Sequence, residues 1–143
     1  MTARAICAIA WTGITFLGAI PEITAAEPRS LAEVQEFAFG GVGVAGIESQ
    51  GERFFREAMQ RADALSLLKN VLRNGTSAGK LYALCGIRLL AEKEFPAAAA
   101  PLLKSTETVT TIHGCALATE PVAVVARQIS DGSFDLSLTN PRG

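Results

Sequence analysis

The sequence predicts an α+β domain that is mostly helical and carries one small antiparallel β element. Two observations favour this fold class. Apolar residues recur at helical spacing through most of residues 50–103, whereas residues 106–112 are rich in β-branched side chains. A chain of 143 residues with a formal net charge of −1 is long enough for one domain, and it lacks the basic field that nucleic-acid binding requires.

The first 26 residues have the pattern of a secretory signal peptide. A positive start precedes an apolar run over residues 5–20, and a segment of small residues ends at Ala26. A membrane anchor needs about 20 apolar residues, and this run is shorter and is broken by Gly13 and Gly18. We therefore expect cleavage after Ala26 and a periplasmic or extracellular product with no stable membrane anchor.

After the signal, we expect one globular domain over residues 27–138 and a frayed tail over residues 139–143.

Removal of the signal also changes the number of cysteines in the chain. Cys7 leaves with the signal, so Cys85 and Cys115 remain as an even pair. Because disulfides persist in a secretory compartment, we expect these two cysteines to form one bridge, which would stabilise the fold by roughly 3 to 4 kcal/mol.

Helix-start signals divide the central part of the chain. Ser49 with Glu52 forms a capping-box pattern, Asp63 is a candidate cap for a second helix, and Thr76 or Ser77 starts a third. Residues 78–93 are apolar on nearly all sides. A helix of that composition is predicted to lie in the middle of the domain.

A further helix is predicted over residues 95–103, with a kink or restart at Pro101. Together the helices form two successive hairpins, and their Leu and Ala spacing resembles that of the helix pairs in HEAT-type solenoids. The resemblance covers roughly half of the chain after the signal and contains no diagnostic motif. It implies stacked helical hairpins as an analogy of architecture and implies no function.

The last third of the chain combines β and helical patterns. Residues 106–112 favour a strand, and Thr119 is a candidate cap for a last helix. Phe134, Leu136 and Leu138 alternate with polar residues, which predicts a half-buried strand.

A glycine-rich run connects the start of the domain to its first helix. Residues 27–39 fit either a short helix or a strand, and the glycines that follow favour an irregular strand or loop. These glycines are Gly40, Gly41, Gly43 and Gly46. The last three match the spacing of the dinucleotide-binding fingerprint. Because the helix signal comes only at Ser49, too late to meet a pyrophosphate, we expect no dinucleotide and no other cofactor.

Four residues could carry chemistry. Cys85, His113 and Cys115 could bind a soft metal, or a cysteine and His113 could form a nucleophilic dyad, but both sites need free thiols. With a single histidine and an expected disulfide, we predict neither a metal site nor a catalytic residue. Arg88 interrupts an apolar helix, so its guanidinium is a candidate buried charge that requires a carboxylate of the fold or of a ligand.

These observations favour a non-catalytic binding or recognition protein, of the inhibitor, immunity or accessory type. Its expected partner is another envelope or extracellular protein. The candidate interaction loops are the glycine-rich run and the segment that contains Thr110, Thr111 and His113. Two alternatives remain open: a small-molecule carrier that uses apolar space between helical hairpins, and an enzyme that uses Cys85 with His113, or Arg88.

Cleavage of the signal has a simple spectroscopic consequence. Trp11 is the only tryptophan of the chain and lies within the predicted signal. The secreted protein should therefore show no tryptophan absorbance or fluorescence. Its measured mass should correspond to a chain whose first residue is Glu27. Tryptophan emission from the secreted protein would show that the signal had not been removed.

Overall fold

The computed structural model of the protein describes residues 27–139. The predicted signal peptide and residues 140–143 lie outside these described residues. Within the described range, no helix is long and apolar enough to cross a membrane.

Five helices of nine or more residues occur in the described part of the chain. They are α1 (Gln50–Met59), α2 (Ala64–Asn74), α3 (Ser77–Leu90), α4 (Phe95–Leu103) and α5 (Val122–Ser130). A 3-10 turn at Glu92–Glu94 joins α3 to α4, and a short helix, α6 (Asp135–Thr139), follows α5.

Two small sheets accompany these helices. The first contains β1 (Glu36–Phe37), β4 (Thr108–His113) and β5 (Ala116–Pro121) in the order β1-β4-β5. β4 and β5 form an antiparallel pair, although no strand was predicted for β5, and β1 is parallel to β4, so the sheet is mixed. The second sheet is an antiparallel hairpin of β2 (Gly41–Val42) and β3 (Ile47–Glu48) within the glycine-rich run.

Helix α3 is the centre of the domain, as its apolar sequence predicts. Leu81, Tyr82 and Leu84 are fully buried, and α3 contacts α1, α2, α4, α5, β1 and β4. Gly86 permits α2 to pack closely on α3, since a Cβ there would lie 2.5 Å from Cδ1 of Leu68 on α2. In a solenoid each repeat contacts only its neighbours, whereas here the single helix α3 contacts α1, α2, α4 and α5. The helices therefore pack around α3 rather than in a HEAT-type stack.

The phenol of Tyr82 attaches the N-terminal strand to this central helix. Its hydroxyl donates to the carbonyl of Ala38 at 2.7 Å and accepts the N–H of the same residue at 2.9 Å. Ser49, which caps α1, also donates to that carbonyl, at 3.1 Å. Gly51 leaves room for the ring, because a Cβ there would lie 2.6 Å from Cε2 of Tyr82. These contacts hold residues 36–39 in an extended conformation, and this conformation allows β1 to pair with β4.

Thr76 joins the segment before β1 to the start of α3. Its hydroxyl caps α3 by accepting the N–H of Gly79 at 3.1 Å, and it donates to the carbonyl of Val34. Its own N–H donates to the carbonyl of Ala32 at 2.9 Å. A Cβ at Gly79 would lie 2.6 Å from the carbonyl oxygen of Leu31, so glycine permits this close approach. Of the two predicted candidates for the start of this helix, Thr76 is the cap and Ser77 is the first helical residue.

The predicted disulfide is wrong. Cys85 and Cys115 are both free thiols. The β4–β5 pair does pack on α3, as a bridge would require, but Cys115 lies in the turn of that hairpin, where residues 113–117 are all exposed. Cys85 is fully buried in α3. A solvent-exposed turn and the interior of the core helix do not bring the two side chains together.

Two other expectations for the last third of the chain are wrong. The stretch after Phe134 forms helix α6 and not a strand. Phe134 and Leu138 are four residues apart, so they share one helix face, and both pack against the core. Over only five residues, apolar side chains at i, i+2 and i+4 do not distinguish a strand from a helix, because positions i and i+4 also share one helix face. Thr119 does not cap a helix either, because it pairs with Thr110 in the β4–β5 ladder and α5 begins only at Val122.

The Tyr82 contact makes a measurable prediction, because Tyr82 is the only tyrosine of the chain. Burial raises the pKa of Tyr82 to about 12 from its ordinary value of 10.0. Tyrosinate absorbance should therefore appear near pH 12 in the folded protein and near pH 10 in denaturant. Because the folded pKa is the higher one, this contribution to stability is complete below pH 10 and is lost as the pH rises towards 12, by about 3 kcal/mol.

Tyr82→Phe tests the hydrogen bonds themselves. This variant keeps the ring but leaves the buried N–H of Ala38 without its partner, so it should lower the free energy of unfolding by about 1 to 3 kcal/mol in urea denaturation. Ser66→Ala, on the exposed face of α2, is the control and should change it by less than about 0.5 kcal/mol. Equal effects of the two substitutions would contradict the assigned role of Tyr82.

Candidate functional site

The glycine-rich run forms a tight hairpin whose shape depends on glycine. Gly41 pairs with Glu48 and Val42 with Ile47, and the turn occupies residues 43–46. Gly43 and Gly46 have φ values of +72° and +59°, a region that disfavours other residues. A Cβ at Gly41 would lie 2.7 Å from Cα of Gly46, so a larger residue in β2 would prevent the turn from folding back this closely.

The β4–β5 hairpin closes with a two-residue turn. His113 pairs with Ala116, and Gly114 and Cys115 form the turn between them. Gly114 has a φ of +59° at the first central position, where a type II′ turn needs glycine. His113, Gly114 and Cys115 are all exposed.

The structure brings these two hairpin ends together. The N–H of Gly43 donates to the carbonyl of Gly114 at 2.9 Å, although 71 positions separate them in the chain. We call residues 43–47 and 113–115 the tip surface. Val44 is 100% exposed and Ile47 is 66% exposed. The tip surface therefore presents two large aliphatic side chains on a backbone that glycines and a cross-hairpin hydrogen bond define.

A charged cluster anchors the base of the glycine hairpin to α1. Glu52 is only 3% exposed, and its carboxylate accepts the N–H of Gly40 at 3.0 Å. Arg56, one turn later on α1, pairs with Glu52 and with Glu48 of β3 at 2.8 Å. The buried carboxylate is thus neutralised and hydrogen-bonded, as burial of a charge requires. The predicted capping box is only half present, since Ser49 caps Glu52 but the Glu52 side chain binds Gly40 instead.

The predicted threonines occupy opposite faces of β4. Thr110 is half-buried on the outer face, where it lines a shallow polar groove of about 260 Å³ with Gln35, Thr108 and Thr119. Thr111 faces the core and is 1% exposed, and its hydroxyl has no hydrogen-bond partner in the described structure. Thr111 is therefore not an interaction residue at the surface, whereas His113 lies on the tip surface.

Cys85 and His113 lie in different environments and do not form the predicted dyad. Cys85 lies in the core, and burial raises the pKa of its thiol, which therefore stays protonated. His113 lies in solvent at the hairpin turn. Among residues 27–139 there is no group of three or more histidine, cysteine or carboxylate side chains that could hold a metal ion.

Arg88 binds the end of α5. Its guanidinium donates to the carbonyls of Ile129 and Ser130 at 2.7 and 2.5 Å, and it pairs with Asp135 at 3.2 Å. The same guanidinium lies over the ring of Phe95, 5.6 Å from its centroid. The side chain is 24% exposed. The fold itself thus supplies the acceptors that Arg88 needs, and the positive charge lies at the negative end of the helix dipole.

Several open grooves are present on the helical side of the described residues. One of about 520 Å³ lies beside Arg88 and Phe95, and one of about 470 Å³ runs between residues 29–32, α1 and α2. Phe54 and Leu67 contribute apolar surface to the second groove. Their volumes fall in the range of small-molecule sites, but such sites are usually more enclosed.

Comparison of the chain with models of protein families, with curated proteins and with solved structures found no match. Functional assignment therefore depends on the geometry of the described residues and on the chemistry of their side chains.

Sequence reasoning identified both hairpin ends as candidate loops but missed the exposed aliphatic residues and the contact between the loops. Val44 and Ile47 lie within a glycine-rich run. The glycines predict an unusual backbone conformation and draw attention away from these two apolar side chains. The sequence does contain one indication of this surface, which is the pair of large aliphatic residues near a turn. In a hairpin this short, such side chains have few apolar neighbours to pack against and remain exposed. The bond between Gly43 and Gly114 has no signature in the sequence.

Thiol reactivity tests the positions of the two cysteines. In the signal-free protein, Cys115 should react rapidly with a chromogenic thiol reagent, whereas Cys85 should react only after denaturation. Cys115→Ser should abolish the reaction of the native protein, and Cys85→Ser should leave it unchanged. Loss of both reactions under non-reducing conditions, with recovery after reduction, would show a bridge between the two cysteines and contradict the structure.

Proposed function

We propose that the protein is a non-catalytic binding protein of the periplasm or extracellular space, and that it binds another protein through the tip surface. The observation that carries the proposal is the meeting of two distant hairpins, one of which exposes Val44 and Ile47 to solvent. Loops on a defined scaffold are common sites of recognition, and exposed aliphatic clusters are typical of protein contacts.

The energetics of the tip surface suit binding. Complete burial of an aliphatic side chain contributes about 1.5 to 3 kcal/mol, and Val44 has its whole side chain available for that purpose. Glycine conformations, the bond from Gly43 to Gly114 and the Glu52 anchor hold the backbone in place. A surface that is ordered before binding loses less conformational entropy when it binds.

The proposed location follows from the signal pattern of residues 1–26. A protein that is exported through such a signal meets envelope or extracellular partners, which agrees with an aliphatic surface and with a near-neutral charge that provides little electrostatic steering. An inhibitor, an immunity protein and an accessory subunit would all use a surface of this kind.

Affinity capture tests the proposal. The purified protein, fixed to a support, is exposed to envelope extract and culture medium, and the bound proteins are identified by mass spectrometry. We expect a specific partner whose capture is lost with Val44→Ser combined with Ile47→Ser. Binding of the purified partner should weaken at least about tenfold in calorimetry, because the aliphatic burial is lost.

The matched control replaces two aliphatic residues that are exposed elsewhere. Leu89→Ser combined with Leu90→Ser alters the end of α3, where these residues are 43% and 46% exposed. This variant should keep the partner. Capture that survives the tip-surface substitutions, or that both double variants abolish equally while circular dichroism shows them folded, would contradict the proposal.

A further inference from the structure

The outer edge of β5 is the basis of a second interaction. β5 pairs with β4 on one side only, and no other strand among residues 27–139 adjoins it. We propose that β5 pairs antiparallel with β5 of a second copy of this chain, so that two three-stranded sheets join into one across a two-fold axis. This proposal is independent of the tip surface, since it uses residues 116–121.

The register of the β4–β5 hairpin identifies the free backbone groups. The N–H of Val122 donates to the carbonyl of Glu107 at 2.9 Å, and these residues are opposite each other one step beyond the ladder. Hydrogen-bonded and non-hydrogen-bonded pairs alternate in an antiparallel ladder. Leu117 and Thr119 therefore form non-hydrogen-bonded pairs with β4, and their N–H and carbonyl groups point towards the outer edge.

A two-fold axis at Ala118 satisfies these free groups. It places Leu117 of each copy opposite Thr119 of the other, and each such pair exchanges two backbone hydrogen bonds. The pairing is isologous, as a symmetric dimer requires, because the same residues meet in both halves of the interface.

The side chains of β5 agree with this register. Leu117 is 67% exposed, and its cross-strand neighbour in the dimer would be Thr119, whose methyl group can cover it. Glu120 is the only charged residue of β5, and it would lie opposite Ala116 rather than opposite another carboxylate. Pro121 lacks an N–H, so the ladder between the two copies ends before this residue.

Cysteine cross-linking tests the register directly. In the secreted protein with Cys115→Ser, Ala118→Cys places two thiols at the axis, where the Cα atoms of a non-hydrogen-bonded pair are about 4.5 Å apart and within disulfide range. Mild oxidation should give a covalent dimer on a non-reducing gel. Thr119→Cys is the matched control, since two residues at this position would be offset along the strands beyond that range, and it should not cross-link.

Sedimentation tests the same interface without a cysteine. The unaltered protein should show a concentration-dependent monomer–dimer equilibrium, and Leu117→Glu should raise its dissociation constant at least about tenfold. Leu90→Glu, an equally severe change at an exposed leucine at the end of α3, lies outside the edge and should leave the constant unchanged.

Several results would overturn the proposal. These are a monomer at every accessible concentration, a dimer that Leu117→Glu does not weaken, and equal cross-linking of the two cysteine variants. A monomer that instead loses a co-purified protein on Leu117→Glu would show that the edge binds a foreign strand and would also overturn the second copy as its occupant. Because Val44 and Ile47 are not part of this interface, failure here leaves the tip-surface proposal intact.

Discussion

The paired hydrogen bonds between the Tyr82 hydroxyl and the backbone of Ala38 determine where the N-terminal part of the domain lies. Tyr82 belongs to the most buried helix, so the position of its hydroxyl is fixed by the core. The chain around Ala38 must stay extended to meet it, because a helix would use those backbone groups internally. β1 forms beside β4 for this reason, and the glycine hairpin begins directly after it.

This constraint also explains how two distant hairpins share one end of the molecule. β1 lies parallel to β4 from Glu36 to Phe37, and the chain then continues past β4 towards the turn at Gly114. Glu52 holds the hairpin base from the other side, through the N–H of Gly40. The tip surface is therefore a consequence of packing on α3, and its exposed residues extend from a base that hydrogen bonds to Tyr82 and Glu52 hold in place.

Because Cys85 and Cys115 are free thiols, the stability of the fold does not come from the disulfide that a secreted protein would be expected to contain. A bridge between Cys85 and Cys115 would have restricted the unfolded chain, whereas the structure relies on burial around α3 and on polar contacts that cross the domain. Arg88 is one of these contacts, since it joins α3 to the last turn of α5. The sequence predicted a carboxylate partner for Arg88, and the structure supplies Asp135 together with two backbone carbonyls, which a sequence does not distinguish.

The sequence by itself determined the helices from Gln50 to Leu103, the start of α3 at Thr76 or Ser77, the central position of α3 and the unusual backbone of the glycine-rich run, because these depend on local periodicity, capping and φ preference. Only the tertiary structure decided the rest. The segment after Phe134 is helical because helix spacing places Phe134 and Leu138 together on the core, and Cys115 is free because its turn extends into solvent. Such outcomes depend on which surfaces meet, and distant contacts leave no local pattern in the chain.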